Sequence, residues 1–496
     1  MKDLLLGIDL GTGGCKTTII DSDGAFVADG YTEYVTYHPF SGWSEQKAAD
    51  WFPAFLNSLH IALEKSGVSA GQIVALSLDA SAHNAVLLDR NDHVLLNTIM
   101  WTDQRSTQEV VFLLENYREE IFRRTFHKPS PTWTLPQLMW LKRNHPTEFA
   151  KTDRLMFIKD YIRYLLTGEW KTDHIEAQGS LLFDNLSWEW SSEICAMGGI
   201  PLTILPPLVK PTDIAGHITE QASKLTGIKV GTPVINGASD TALENYCVGA
   251  IQPGYCVVKM ATAGNVCMFY NEPHPNPNGF TYSHVVDGLW YSTFGTNSAA
   301  QSLRWYRDVF CQSEINAGKN VYQLLDEEAE AVPPGSDGVM FHPYLMGERS
   351  PYWDPKLRAS FVGVTAAHNR GHFNRAILEG VAYSIKDNFT RMEGTKDVKE
   401  IRFLGGGAKS ALWRSILANV LNKPVLKFAK DDSSLGSALL AGVSVGIFAN
   451  HEEAIQKSVR LSSQVSPVPE IAEAYEKHFA NYRKVHDVLA EIYHTY

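Results

Sequence analysis

Residues 4–21, LLLGIDLGTGGCKTTIID, set an apolar strand, a turn of glycine and threonine, and a second, β-branched strand in immediate succession. A nucleotide-binding P-loop needs G-x-x-x-x-G-K-[ST] with a helix behind it. Counting back from Lys16 and Thr17, its two glycine positions fall on Leu10 and Cys15, so that motif fails. The residues that follow, Thr17, Thr18, Ile19 and Ile20, are β-branched and run into Asp21-Ser22-Asp23-Gly24, which favours a strand ending in a turn over a helix. The dinucleotide motif G-x-G-x-x-G fails as well, because Lys16 stands at its third glycine. What remains is a β-hairpin whose turn, Gly11, Thr12, Gly13 and Gly14, offers backbone N–H groups and a hydroxyl to an anion, with Asp9 at its mouth. Such a concave run of amides suits a phosphate chain; an ordinary glycine-rich turn is the alternative that this segment alone leaves open.

A chain of 496 residues is too long for one hydrophobic core, so two large domains are expected. The formal net charge of −11 argues against a nucleic-acid or anionic-membrane partner, which would call for a basic face. The six cysteines are scattered, with no C-x-x-C pair and no zinc-like spacing, which fits reduced thiols in the cytoplasm. No signal-peptide pattern opens the sequence. The weakly polar run at 435–449 is interrupted by Gly and Ser and is too short to span a bilayer, so it reads as a buried helix.

The pattern from residue 1 to about 110 is strand-rich: the hairpin, a strand at 26–34, a helix at 46–65, a strand at 73–78, a tight loop at 79–84, and a second hairpin formed by 85–89 and 94–101. Residues 110–225 read as mainly helical, with Trp133, Trp140, Trp188 and Trp190 as large anchors and the Pro-rich 201–211 as a connector. A strand at 232–237 leads to a helix from about Thr241, after which the opening theme returns: strand 255–260, the small-residue turn Ala261-Thr262-Ala263-Gly264, strand 266–270. One phosphate hairpin in each half points to two related α/β domains, 1–245 and 246–496, with a nucleotide held between them. A third glycine cluster, Gly405-Gly406-Gly407, follows a strand at 400–403 and precedes a helix near Ser410, and its backbone is smooth enough for a flat ring or ribose to approach.

With these pieces in order, the chain resembles the FGGY family of carbohydrate kinases, part of the actin/Hsp70/sugar-kinase superfamily of duplicated ribonuclease-H-like domains. The carriers run nearly end to end: GIDLGTGGCKT at 7–17, GWSEQ at 42–46, SAHNAVLLD at 81–89, WTDQR at 101–105, GASDTA at 237–242, GERSPYWDPKLRASFVGVT at 347–365, RAILEGVAYS at 375–384, GGGAKSALWRSILANVL at 405–421 and SSLGSALLAG at 433–442. Within the family the chain is most similar to xylulokinases, whose Met-His pair and W-N-D-x-R segment are matched by Ala82-His83 and Trp101-Thr102-Asp103-Gln104-Arg105. It departs from them at Ala82 and at Thr241, where many xylulokinases carry Met and Asn, and from the family's first signature at Gln137, where a Lys is usual. The GASD tetrad is also similar to gluconate kinases.

The resemblance implies ATP-dependent phosphorylation of a ketose at a terminal hydroxyl, with D-xylulose going to D-xylulose 5-phosphate. Gluconate, ribulose, a tetrulose or glycerol are alternative acceptors, and an actin- or Hsp70-like ATPase is the rival of a different class. By resemblance Asp240 is the general base; a plain helix N-cap is the bland reading of an Asp at that place. Asp9, with Asp240, is implied as a holder of Mg²⁺ through water. Gly11, Thr12, Gly13, Gly14 and Lys16 are expected at the phosphates, although Lys16 on a strand is equally readable as a solvated charge. Thr262 and Gly264 are expected at the transferring phosphate, and Gly406, Gly407 and Ala408 along the adenosine. Ala82, His83, Asp103 and Thr241 are the sugar-pocket candidates, with Trp101 or Trp133 as apolar walls; Arg105 pairing with Asp103 to orient it is the alternative. The Glu-Arg-Ser-Pro run at 348–351 is expected to brace the site without touching substrate. Sugar binding is expected to promote domain closure. Relatives are often dimers, so the resemblance allows a homodimer, but no isolated apolar stripe marks an interface.

Overall fold

A computed structural model of the chain describes residues 2–495. The residues gather into two compact units, neither continuous in sequence. The first holds the chain up to Ile251 together with Tyr282–Leu289 and Lys430–Val459; the second holds Gln252–Thr281, Trp290–Ala429 and the chain from Arg460 onward. A single cut near residue 246 divides the sequence into halves, whereas the first compact unit also takes two segments from beyond it.

The first unit is built on a six-stranded sheet. Its strands are β1 (Leu4–Leu10), β2 (Gly14–Asp21), β3 (Phe26–Glu33), β4 (Ile73–Ala80), β5 (Ile214–His217) and β6 (Pro233–Ser239), in the spatial order β5-β6-β4-β1-β2-β3. β1 and β2 form the expected hairpin, with Leu10 opposite Cys15 and Asp9 opposite Lys16. β4 lies parallel to β1 with Asp79 beside Asp9, and β6 lies parallel to β4. The helix α1 (Ala48–Ser66) buries Trp51, Phe55, Leu59 and Ala62 against β2 and β3. A helix at Ser433–Ser444 returns from far along the chain to pack on β1, β2 and β4. It is the buried helix read from the run at 435–449, and among the described residues no helix is long and apolar enough to cross a membrane.

The second unit repeats this plan. Its sheet contains β7 (Tyr255–Met260), β8 (Gly264–Tyr270), β9 (Trp290–Thr296), β10 (Glu400–Leu404), β11 (Val425–Phe428) and β12 (Leu461–Val465) in the order β9-β8-β7-β10-β11-β12. Set beside β3-β2-β1-β4-β6-β5, each step matches: two antiparallel pairings, two parallel ones, then an antiparallel edge. The repeated hairpin in the sequence is thus the visible part of a repeated run of six strands. The helix Arg370–Thr390 is buried along nearly its full length in this unit's core, from Asn374 through Phe389.

One local reading is corrected. The hairpin expected of 85–89 and 94–101 forms only next to its turn, where Leu88 bridges Val94 antiparallel and the Leu95 amide donates to Leu87 O (2.9 Å); beyond that, Ala85–Leu88 pairs with Arg154–Phe157 and Thr98–Ile99 pairs with Glu45–Gln46. Strand partners far apart in sequence leave no local signal, so the turn at Asn91-Asp92 read as the tip of a longer hairpin than the one that forms.

Glycine at position 7 is what allows the returning helix to lie on β1, because a Cβ there would overlap the Ser434 carbonyl oxygen and crowd the backbone of Ala438. Gly7→Ala is expected to destabilise the protein by about 3 kcal/mol or more, since backbone cannot step aside as a side chain can. Thermal unfolding should show the loss, while Gly71→Ala, whose Cβ would meet only ordinary contacts, should unfold like the parent.

Candidate active site

The parallel strands of the first unit end together, and their ends carry acid. Asp9 closes β1 and Asp79 sits beside it on β4, while β6 runs level with β4 through Ala238 and Ser239 to reach Asp240, the first residue of α3 (Asp240–Cys247). β6 carries a register shift between Ile235 and Ala238, and Gly237 lies there at φ 76°, a conformation that glycine adopts without strain. Ser239 is the N-cap, so Asp240 stands inside the helix, its Oδ1 accepting from the amide (2.6 Å) and hydroxyl (3.3 Å) of Thr241. Thr241, a sugar candidate from sequence, is thereby a partner of Asp240.

Burial, with Asp240 and Glu244 nearby, pushes the Asp9 carboxyl up to about 7. Burial and the adjacent Asp9 hold Asp79 well above the usual carboxylate range. Asp79 Oδ2 accepts from Ser437 of the returning helix (2.5 Å), whereas Asp79 Oδ1 and Asp9 Oδ1 are buried with no hydrogen-bond partner. Carboxylate oxygens of this kind, crowded and unsatisfied, suit a hard divalent cation. Among the described residues no three His, Cys, Asp or Glu side chains are placed to ligate a metal directly.

The turn between β1 and β2 is fastened by its carbonyls. Tyr34 donates its hydroxyl to Gly11 O and its amide to Gly13 O (3.4 Å), and Gln46 Nε2 (2.7 Å) and Thr36 Oγ1 (3.3 Å) donate to Thr12 O. In a trans peptide the N–H points opposite to the C=O, so fixing these carbonyls turns the amide edge of Thr12, Gly13 and Gly14 the other way. The Thr12 hydroxyl accepts from Trp101 Nε1 at 3.0 Å and keeps its own proton to donate. Lys16 is differently employed from the phosphate role expected of it: its ammonium pairs with Asp432 at 2.9 Å and Asp29 at 3.8 Å. Burial works against that charge, but Asp432 outweighs it and raises the Lys16 pKa, while Lys16 in turn holds Asp432 low despite its own burial. Lys16 thus fastens the segment leading into the returning helix to β2.

The loop after β4 is held by Asn84, which donates to Ser81 O (2.6 Å) and accepts from the Trp101 amide (2.6 Å). Ala82 is half-buried in this loop, and His83 follows it at φ 55°. The His83 ring lies 4.9 Å from Trp133, which stacks at 4.7 Å on His127, which in turn meets Tyr282 at 4.8 Å. Burial, together with His127, pushes His83 down to about 3, so its imidazole is neutral. Burial and the charges of Glu176 and Asp240 raise the Tyr282 phenol well above its usual value, so the aromatic group stands within electrostatic reach of both acids.

Asp103 is placed otherwise than expected. Its carboxylate is buried and occupied: Oδ1 takes the amide (2.8 Å) and Nε (2.9 Å) of Arg105, and Oδ2 takes Arg105 Nη2 (2.7 Å) and the Ser44 amide (2.5 Å). Arg105 also binds Glu45 (2.7 Å) and lies over Trp43, 3.6 Å from the ring centre. The pairing offered as the alternative is the one observed, and it ties together the segments around 44 and 103. Gln137, the departure from the family signature, donates to the carbonyls of Met100 (3.4 Å) and Pro131 (3.1 Å).

In the second unit the turn between β7 and β8 repeats the carbonyl device. Ala261 O accepts from the Ala300 amide (2.8 Å), Thr262 O from that of Ala299 (3.0 Å) and Ala263 O from that of Ala261 (3.0 Å), while Thr262 Oγ1 accepts from Arg304 (3.4 Å). Gly264 is packed so that a Cβ would meet Thr296 and Ala299. Glu348 braces this corner, binding Thr296 Oγ1 (2.6 Å) and the Asn297 amide (2.9 Å), and burial pushes its carboxyl up to about 7. Gly406 and Gly407 line a cavity of about 640 Å³ with Leu303, Tyr322, Gln323 and Trp413. Ala408 is buried in the core beside this cavity's wall and does not line it.

Four residues of the first unit's site had no role in the sequence reading: Asn84, His127, Glu176 and Tyr282. Asn84 lay inside a recognised motif; the other three come from segments distant in sequence, where only the fold reveals their proximity.

A duplicated α/β sheet with a carbonyl-fastened hairpin turn in each copy, acids at the strand ends and a packed aromatic cluster beside them, fits a phosphotransferase acting on a small alcohol. Residues 4–247 match the model of the N-terminal domain of the FGGY family of carbohydrate kinases, and residues 263–445 match that of its C-terminal domain. A xylulose kinase of Bacillus subtilis is 31% identical over 97% of this chain and 96% of its own length. Among solved structures, a ligand-bound xylulose kinase of Lactobacillus acidophilus superposes with a TM-score of 0.92 at 27% identity, covering 99% of each chain. A gluconate kinase of the same organism superposes with a TM-score of 0.91 at 27% identity over 100% of each chain. The chain belongs to the FGGY family of carbohydrate kinases, with the ribonuclease-H-like fold of that family, and is a sugar kinase.

The neutral imidazole of His83 makes stability depend on pH. The unfolded chain takes up a proton at this residue below about 6.5, while the folded chain resists until about 3. In that window the unfolded state binds more protons, so stability is lost as the pH falls. His83→Asn, which tolerates the left-handed backbone, is expected to lessen the loss between pH 6.5 and pH 4 by roughly 1 kcal/mol per pH unit. Urea unfolding at several pH values measures it; identical slopes in parent and variant would mean the ring is charged in the fold.

Proposed function

We propose that this kinase transfers the terminal phosphoryl group of ATP to the terminal hydroxyl of a ketose, with D-xylulose as substrate and D-xylulose 5-phosphate as product. The observation that carries the reading is Asp240, placed by the bulged end of β6 at the start of α3, beside the buried pair Asp9 and Asp79. Phosphoryl transfer asks little covalent chemistry of the protein: the acceptor must be aligned, its proton taken, and the phosphate charge balanced. Asp240 takes the hydroxyl proton, with its carboxylate fixed in rotation by the amide and hydroxyl of Thr241. The outward amides of Thr12, Gly13 and Gly14 and the Thr12 hydroxyl receive phosphate oxygens, with Gly11 giving the turn its shape. Thr262 and Gly264 serve the transferring phosphate, and the cavity walled by Gly406 and Gly407 takes the adenosine. Mg²⁺, when bound, supplies charge neutralisation on the phosphates, and Asp9 with Asp240 would hold it through water. His83, Trp133 and Tyr282 receive the sugar, while Asp103 acts at one remove by fixing Arg105. The six cysteines, all buried and none in a disulfide among the described residues, support a reducing cytoplasmic setting.

The match to a gluconate kinase, at the same identity and with a TM-score of 0.91 against 0.92 for the xylulose kinase, favours gluconate as the second reading. ADP release measured across D-xylulose, D-ribulose, gluconate, glycerol and a tetrulose distinguishes them, and D-xylulose is expected to give the highest kcat/KM. Asp240→Asn is expected to lower kcat by about 10²- to 10⁴-fold with the sugar KM little changed. ATP turnover that needs no sugar and survives Asp240→Asn would instead mark an ATPase.

A further inference from the structure

We propose that Glu176 is the positioning residue that sets His83 for sugar binding, a role resting on the reading of His83 as a sugar contact. His83 occupies the left-handed region at φ 55°, where a residue with a side chain stays only if its surroundings over-determine it. Two anchors do so: the His83 N–H donates to Glu176 Oε1, and the His83 C=O accepts from Thr134 Oγ1 at 2.8 Å. The ring is confined as well, with Trp133 on one side and Gly179 close to Nδ1, where any Cβ would collide with it. Glu176 and Gly179 belong to one short element, α2 (His174–Gln178) and the residue that ends it. A single helical turn thus fixes both the backbone and the ring of His83.

Glu176 is an expensive choice for a purely structural anchor. It is 1% exposed, its Oε2 has no hydrogen-bond partner in the protein, and burial keeps its carboxyl well above the usual range. A buried acid with one oxygen unsatisfied destabilises the fold, so its presence is accounted for by what its other oxygen holds. The anchor is itself rigid. Asp173 caps α2 by accepting from the amides of Ile175 (2.9 Å) and Glu176 (3.0 Å) and pairs with buried Lys159 at 2.7 Å. Lys159 binds Asp160 (2.6 Å), Asp160 binds Arg163 (2.5 Å), and Arg163 reaches Asn236 of β6, the strand that delivers Asp240. The sugar loop and the general base are therefore registered against each other through one buried charge network that ends on Glu176.

The test compares Glu176→Ala, Glu176→Gln, Thr134→Val and His83→Ala for kcat and for the KM of sugar and of ATP, with calorimetric sugar binding in the absence of nucleotide. Glu176→Ala is expected to raise the sugar KM and the sugar Kd by tenfold or more, leaving the ATP KM within twofold. Glu176→Gln, which keeps a carbonyl to accept from the His83 amide, is expected to stay within threefold of the parent. Thr134→Val, nearly unchanged in shape, is expected to raise the sugar KM severalfold, and it carries the test if Glu176→Ala does not fold. Equal impairment of the Ala and Gln variants, or a shift in melting temperature with both KM values unchanged, would overturn the proposal. An unaltered sugar KM in His83→Ala would overturn the underlying reading of His83 instead.

Discussion

Like charges at the ends of neighbouring strands are the constraint around which the first unit is arranged. Parallel pairing in register puts Asp9 and Asp79 side by side, and β6 delivers Asp240 to the same edge. Each carboxylate raises the cost of ionising its neighbours, and burial raises it further. The fold tolerates this because the returning helix Ser433–Ser444 brings Ser437 to Asp79, while Lys16 neutralises Asp432 at the helix's approach. Gly7 is the residue that lets that helix come close enough to do so. Crowded acids of this kind, maintained at one edge and compensated from a distant segment, are the mark of a candidate functional site.

The two hairpin turns solve a second problem by one means. A glycine-rich turn is flexible, and flexible amides make a poor anion site because ordering them costs entropy at the moment of binding. In both units the turn's carbonyls are tied back, by Tyr34, Thr36 and Gln46 in one and by the amides of Ala299, Ala300 and Ala261 in the other. The amide edge is thereby preset. The chemical means differ, mainly side chains in the first unit and backbone amides in the second, so the shared feature is the backbone geometry and not the residues that enforce it.

The hairpins, the duplication, the buried helix after 433 and the helix start at Asp240 were legible because each is written in contiguous residues: alternation, turn composition, small-residue clusters. Asp9, Thr12, Gly264 and Gly406 lie at the strand end, the hairpin turns and the glycine cluster that their own segments form. Residues whose role depends on a distant partner did not declare it. Lys16 is held by Asp432, more than four hundred positions away. Asp103 looked like a pocket acid until Arg105 and Ser44 were seen to surround it. Ala408 looked like part of a smooth glycine surface, yet its side chain turns into the core.

The sequence by itself determined the two repeated α/β sheets, the family, and the helix start at Asp240, because local periodicity and short motifs fix strands, turns and helix starts before any long-range contact forms. Tertiary structure alone decided which acids would be neighbours, which lysine would be neutralised, and which side chains would gather around His83. Glu176, His127, Trp133 and Tyr282 come from separate segments, and their proximity arises only when the sheet register and helix packing close the chain upon itself. Electrostatics and pocket shape depend on distances of a few ångströms through space, and a linear order of residues does not contain them.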